Sequence, residues 1–330
     1  MKRDATKKSW RHSAGRVFVA IPPMLASFLA AFFFALNATF SGRNARAHGP
    51  ARANIGRLIV AALMLGAFAH TLGHGFTSAS TGWFFLSGVI GMGLGDLGVY
   101  AALPLLGSRL TVLMTQCLAA PIAAGGEWLW LDTRLTGTQI FWGLIILAGV
   151  ALALMPSKAS PPKVAIKPIG FLFGLIAAAG QGLGALVSRK GGLIADAAGE
   201  ATHNATFGLN AAYQRILAGL IFASLWFLAL RLLRRPLAPD AAVDPAAPAP
   251  AKPNLRLIIA NGFIGPVLGV GSYQWALATA PSGLVLPIVA TTPLFAIPIA
   301  WWLEGDRPSR RTLIGSVVAV AGCIALTLAH

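Results

Sequence analysis

Charge is what this chain has least of. Only 11% of its 330 residues are Asp, Glu, Lys or Arg, against about 25% in a soluble domain. Side chains this poor in charge cannot cover a water-facing surface of that size. Acids are scarcest of all, ten beside 26 Lys and Arg. With two cysteines the chain is not a disulfide scaffold. At 56% apolar it is not a disordered chain either. The net charge of +16 would suit nucleic acid in another setting. In a chain this apolar it belongs to membrane loops and helix ends, so no nucleic-acid partner is expected. What remains is an integral membrane protein with the lipid bilayer around it.

What the chain does have is apolar runs of the length a bilayer demands, about 20 residues each. Ten are read, at about 22–42, 54–71, 82–104, 109–131, 138–156, 168–188, 208–231, 255–277, 282–303 and 311–329. They are twice the length of barrel strands and apolar all round, so they are helices. Residues 1–21 form a basic arm, and 236–254 is a Pro/Ala-rich extended loop. Cys117 and Cys323 fall in different spans and read as reduced packing residues.

The chain can be laid on itself. Gly88-Val-Ile-Gly91-Met-Gly-Leu94-Gly95 matches Gly262-Phe-Ile-Gly265-Pro-Val-Leu268-Gly269. Tyr100 then falls on Tyr273, Pro121 on Pro293, and Trp130-Leu131-Asp132 on Trp302-Leu303-Glu304. Arg134-Leu-Thr136 falls on Arg307-Pro-Ser309, Gly143 on Gly315 and Gly149 on Gly322. Arg57 and Arg215 stand near the starts of the second and seventh spans. The expected organisation is a first five-helix repeat over 22–156, a connecting loop 157–167 and a second repeat over 168–329. Five crossings per half is odd, so the halves should be inverted relative to one another, the plan of many secondary transporters.

These residues carry a resemblance. Two five-helix halves, each with a Pro-containing fourth helix that ends in a Trp-Leu-acid-Arg turn and feeds a Gly-rich fifth, resemble the EamA family of the drug/metabolite transporter superfamily. Pro293, Trp302, Leu303, Glu304, Pro308, Gly315 and Gly322 carry it in the second half. In the first half Asp132 stands where the family usually has Glu. The resemblance implies a ten-helix permease for small metabolites, amino acids or drugs, often moving them outward. Its motifs are architectural and name no substrate.

Several polar residues stand inside apolar runs. Asp96, mid-way through the third, costs at least about 2.5 kcal/mol to insert and should face the interior. Either it couples protons or binds a substrate amine, or it hydrogen-bonds a neighbouring helix for structure alone. The repeat has Val270 there, so any such site is single. Glu127, near the end of the fourth span, either lines a vestibule or snorkels to the interface. Asn37 and Gln181 occupy equivalent spans, three residues apart in register; with Gln116 they either join helices or bind substrate. Tyr100, Tyr273, Gln274 and Trp275 either face a cavity or anchor at the interface. Arg57 and Arg215 either snorkel or attract an anionic group. Pro121, Pro287, Pro293 and Pro298 interrupt helix ladders, as hinges or as fixed shape.

Gly91-x-x-x-Gly95, Gly180-x-x-x-Gly184 and Gly265-x-x-x-Gly269 are small faces for close helix packing. Motifs for a metalloprotease, a serine hydrolase or a Walker A loop do not occur. His70 and His74 are an isolated i, i+4 pair. The expectation is no enzyme, no metal and no cofactor, but transport of a small molecule driven by a gradient, with protons as the candidate coupling ion. The alternatives are a lipid flippase and a non-transporting scaffold. The basic arm before the first helix favours cytoplasmic termini in a plasma (inner) membrane, whereas the remaining loop charges favour the reverse.

Overall fold

The computed structural model describes residues 23–48, 50–155, 166–232, 254–304 and 309–329. The basic arm, nearly all of the loops 157–167 and 236–254, and Arg307 and Pro308 lie outside the described residues. Everything regular among those described is helical. The elements are α1 (Pro23–His48), α2 (Pro50–Thr71), α3 (Thr81–Gly88), a π-helical segment π1 (Val89–Gly95), α4 (Asp96–Leu131), α5 (Gly137–Leu154) and α6 (Ile169–Ala197). Then come α7 (Ala205–Leu232), α8 (Leu255–Gly262), a second π-helical segment π2 (Phe263–Val270), α9 (Gly271–Thr279), α10 (Ser282–Val289), α11 (Thr292–Glu304) and α12 (Arg310–Leu328). Nine helical runs among the described residues are long and apolar enough to cross a membrane. Leu63, Leu129, Val317 and Leu328 stand exposed on outer faces, as lipid contact requires.

One run departs from the expected spans. Thr81–Leu131 is continuous over 51 residues, or about 75 Å at 1.5 Å per residue. That is more than twice the hydrocarbon thickness of about 30 Å. It is interrupted at Gly107, whose φ of 77° and ψ of 165° are not helical. Only glycine adopts that conformation without strain. The freed Leu105 carbonyl accepts the amide of Lys167, which leads into α6.

The prolines act unequally. Pro121, Pro287 and Pro298 lie inside α4, α10 and α11. Pro293, expected inside a helix, instead stands in the first turn of α11, just past a break at Ala290-Thr291. Pro293 has no N–H for the Val289 carbonyl, and the Thr292 hydroxyl takes that carbonyl at 2.6 Å. Thr291 likewise takes Ile288 at 2.6 Å. In lipid such substitute donors keep a broken helix tolerable.

Two turns follow the repeat. Thr136 caps α5 by accepting the Gln139 amide, and Ser309 caps α12 by accepting that of Thr312. Asp132 ends α4 with a left-handed backbone, φ 51°. Asp is among the few residues that tolerate this.

The halves interlock by exchange. α6 lies along α4 and π1, while α1 lies along α10, α11 and π2. α7 meets α3 and π1, while α2 meets α8 and π2. Equivalent helices also meet directly, α2 with α7, α4 with α10 and α5 with α12. Close approach rests on glycine. A side chain on Gly149 would stand 2.6 Å from the Ala319 nitrogen and 2.7 Å from the Gly315 oxygen. Gly184 sits on Gly91, and Gly180 on Gly95, so two of the three small faces dock on each other. The central cluster is built from alanines of α1, α4, α6 and α9 around Tyr273, Leu277, Val285 and Val289.

Candidate functional site

Where the third helix of each half crosses its neighbours, the ladder loosens into a π segment. π1 and π2 begin at Val89 and Phe263, 174 positions apart, the offset of the Gly88–Gly95 match. π segments recur at functional sites. Each also receives an arginine-bearing helix at close range. Gly88 abuts the Arg215 carbonyl, and Gly262 the Arg57 carbonyl, with no room for a side chain at either. The two arginines are therefore equivalent in space as well as in sequence.

Their chemistry differs. Arg215 is 4% exposed. α7 begins ten residues earlier, which sets Arg215 about 15 Å inside the helix, too deep for snorkelling. Its Nη1 donates to Ser188 Oγ at 3.1 Å. Ser188 donates onward to Ser87 at 2.7 Å, since the Ser87 proton goes to the Gly184 carbonyl at 2.6 Å. The guanidinium carbon lies 5.7 Å from the centre of the Tyr273 ring, a cation–π contact. Phe34 of α1 meets the same ring edge-on, centroids 6.2 Å apart. Nη2 lies against the bare backbone of Gly91. Arg57 is half-buried and gives its Nε to Asn54 Oδ1 at 2.8 Å.

Asp96 begins α4, one residue past π1, and is half-buried. Among the described residues no hydrogen bond or ion pair ends on it, and no carboxylate lies within 4.0 Å of either arginine. Tyr100, one turn on, is 40% exposed. Its repeat partner Tyr273 is 3% exposed, so the pair has split between two environments. Tyr273 Oη and the Gln274 side-chain amide are buried with no partner among the described residues. Trp275 is partly buried against the central cluster.

Asn37 and Gln181 do not share a position. Ser41 donates to Asn261 at 3.0 Å, mirroring the Ser188–Ser87 bond, since Asn261 stands 174 residues after Ser87. This register sets Asn37 against Gly184 and Phe34 against Gln181. Asn37 accordingly packs on Gly265, as Gly184 packs on Gly91. Gln181 and Gln116 are half-buried.

Glu127 stands apart from this centre. It is 1% exposed, and its oxygens accept the Ser282 and Gly283 amides at 2.8 and 3.5 Å. A carboxylate at the opening of α10 complements the positive helix end. Arg189 of α6 answers it by donating to the Leu277 and Ala278 carbonyls, at 3.1 and 2.8 Å, where α9 ends. Its Nε is 4.0 Å from Glu127. Together they clamp the corner between α9 and α10. Sequence reasoning missed Arg189, Ser87, Ser188, Asn210 and Gln214. The last two lie one turn apart on α7 and are nearly inaccessible, and Gln214 donates to the Gly75 carbonyl at 2.7 Å.

A cavity of about 480 Å³ lies elsewhere, between α4, α5 and α10. Ala120, Pro121, Trp128, Leu144 and Pro287 line it, with Arg134 at its edge. His70 meets the Tyr213 hydroxyl at 3.3 Å. Among the described residues no three His, Cys, Asp or Glu gather as a metal site would require.

The comparisons with known proteins bear on the whole chain. The sequence profile of the EamA-like transporter family matches residues 21–155 and again 168–328. No curated protein matches. A solved crystal structure has the same fold, with a TM-score of 0.68 at 17% identity over 93% of this chain and 96% of that one.

Proposed function

The chain belongs to the EamA-like transporter family, within the drug/metabolite transporter superfamily, and we propose that it is a secondary transporter of a small metabolite, amino acid or drug working by alternating access. The observation that carries this is the paired arginines, one from each half, with a π segment beside each and the carboxylate of Asp96 directly after the first. Polar groups this deep in a membrane bundle are costly and mark functional sites. Alternating access needs two similar packings of nearly equal energy, and halves that exchange their helices support that reading.

Taking Thr81–Leu131 as two crossings about Gly107 makes ten helices, five in each half. An inverted arrangement is supported by what meets at the helix ends. Glu200, after α6, accepts from Ser78 and Ala79, before α3. Met155, after α5, meets Arg311 of α12. The halves are then 22–156 and 168–329. Both termini share one side, which we assign to the cytoplasm of a plasma (inner) membrane. A C-terminal reporter active only when exported would overturn that side.

Asp96 is proposed as the proton-coupling group. The test is solute-driven proton flux in proteoliposomes, for wild type and Asp96→Asn. Flux that falls at least tenfold supports the role; unchanged turnover and pH dependence sink it. The apolar 480 Å³ cavity favours a second reading, lipid translocation. A chain that scrambles labelled lipid, and moves no soluble solute, would replace the first reading with the second.

A further inference from the structure

We infer that Arg215 is the seat of an anionic group on the transported solute, a carboxylate held by the edge of the guanidinium. The inference rests on the transporter reading and adds the class of solute. An unanswered charge motivates it. Arg215 is 4% exposed, and among the described residues no acid approaches it or its repeat partner Arg57 within 4.0 Å. A cation enclosed in a membrane bundle ordinarily has a partner.

The donors of Arg215 show where that partner would sit. Nη1 is committed to Ser188. Nε is buried and has no acceptor among the described residues, and neither does the nearby Tyr273 Oη. Buried donors without acceptors are rare in folded proteins and call for an occupant. A planar guanidinium presents its donors as a fork that fits two carboxylate oxygens. The group is also held still. The Tyr273 ring lies against it, and Gly91 supplies bare backbone where a side chain would collide. Arg57 lacks these features, since its Nε is already spent on Asn54. Hence one seat, not two, despite the repeat.

The test uses the full chain in nanodiscs with paired probes: amino acids, 2-oxo acids and 2-hydroxy acids, each beside its own amide, together with glycerol phosphate. Binding is read as thermal stabilisation, which follows mass action. At least one acid should stabilise the wild type, with its amide at least tenfold weaker. Arg215→Lys keeps the charge but loses the fork, and should weaken that acid tenfold or more. Tyr273→Phe, which removes one hydroxyl, should weaken it less and guards against a folding defect in the first variant. An amide that binds as well as its acid, or an affinity within twofold in Arg215→Lys, overturns the inference and leaves the transporter reading standing. Glycerol phosphate binding while every carboxylate fails overturns the carboxylate assignment. A chain that neither binds nor moves any probe, yet scrambles lipid, overturns both readings.

Discussion

Replacing Glu127 by alanine should be among the costliest single changes in this bundle, although Glu127 lies outside the central cluster. Alanine strips the Ser282 amide of its acceptor at 2.8 Å. A buried donor left unsatisfied costs about 1–3 kcal/mol. Alanine also leaves Arg189, 13% exposed, without its carboxylate. Breaking a buried ion pair costs about 3–5 kcal/mol. This pair is long at 4.0 Å, and Arg189 keeps two backbone carbonyls, so the low end applies, about 3 kcal/mol in all. Glu127→Gln keeps one acceptor oxygen and should lose only about 1 kcal/mol. Equilibrium unfolding in mixed micelles measures both. The cycle with Arg189→Ala should show a coupling of about 0.5–3 kcal/mol. A Glu127→Ala protein within 0.5 kcal/mol of wild type refutes the clamp, as does Gln being as costly as Ala.

Gly149→Val forces apart α5 and α12, because the obstacles are backbone atoms that cannot turn aside. A loss of about 3 kcal/mol, the upper end of overpacking costs, is expected in the same unfolding measurement. Gly107→Ala should cost about 1–3 kcal/mol through backbone strain alone, and Gly137→Ala, where a Cβ meets nothing within 4 Å, is its control. Equal effects at 107 and 137 would contradict the strain account.

The membrane character and the twofold repeat were legible because both are patterns along the chain. Hydropathy marks each apolar run, and the Gly88–Gly95 match is collinear with Gly262–Gly269. The pairing of Arg57 with Arg215 was legible too, and each now has its carbonyl against a matched glycine. Arg215 was mistaken for a residue near a helix end because α7 begins at Ala205, earlier than the apolar run suggests. Its depth could have been read from Thr206 onward had helix length been weighed above hydropathy. The three-residue offset read between Asn37 and Gln181 is the register that the Ser41–Asn261 and Ser87–Ser188 bonds supply. The clamp at Glu127 was illegible for a different reason. Its carboxylate binds backbone amides 155 and 156 residues away, and backbone partners leave no trace in residue type. Ser87 and Ser188 were passed over because an isolated serine in a helix is ordinary.

The central claim is that the polar centre between the halves opens in turn to each side. Ser188→Cys, in a chain with Cys117 and Cys323 replaced by serine, puts a thiol beside Arg215 where wild-type Ser188 is 1% exposed. A membrane-impermeant, negatively charged thiosulfonate is applied to sealed proteoliposomes, outside in one set and trapped inside in another. Labelling is read by mass. The account predicts modification from both faces, slow relative to an exposed thiol. Modification from one face alone, or from neither, contradicts it.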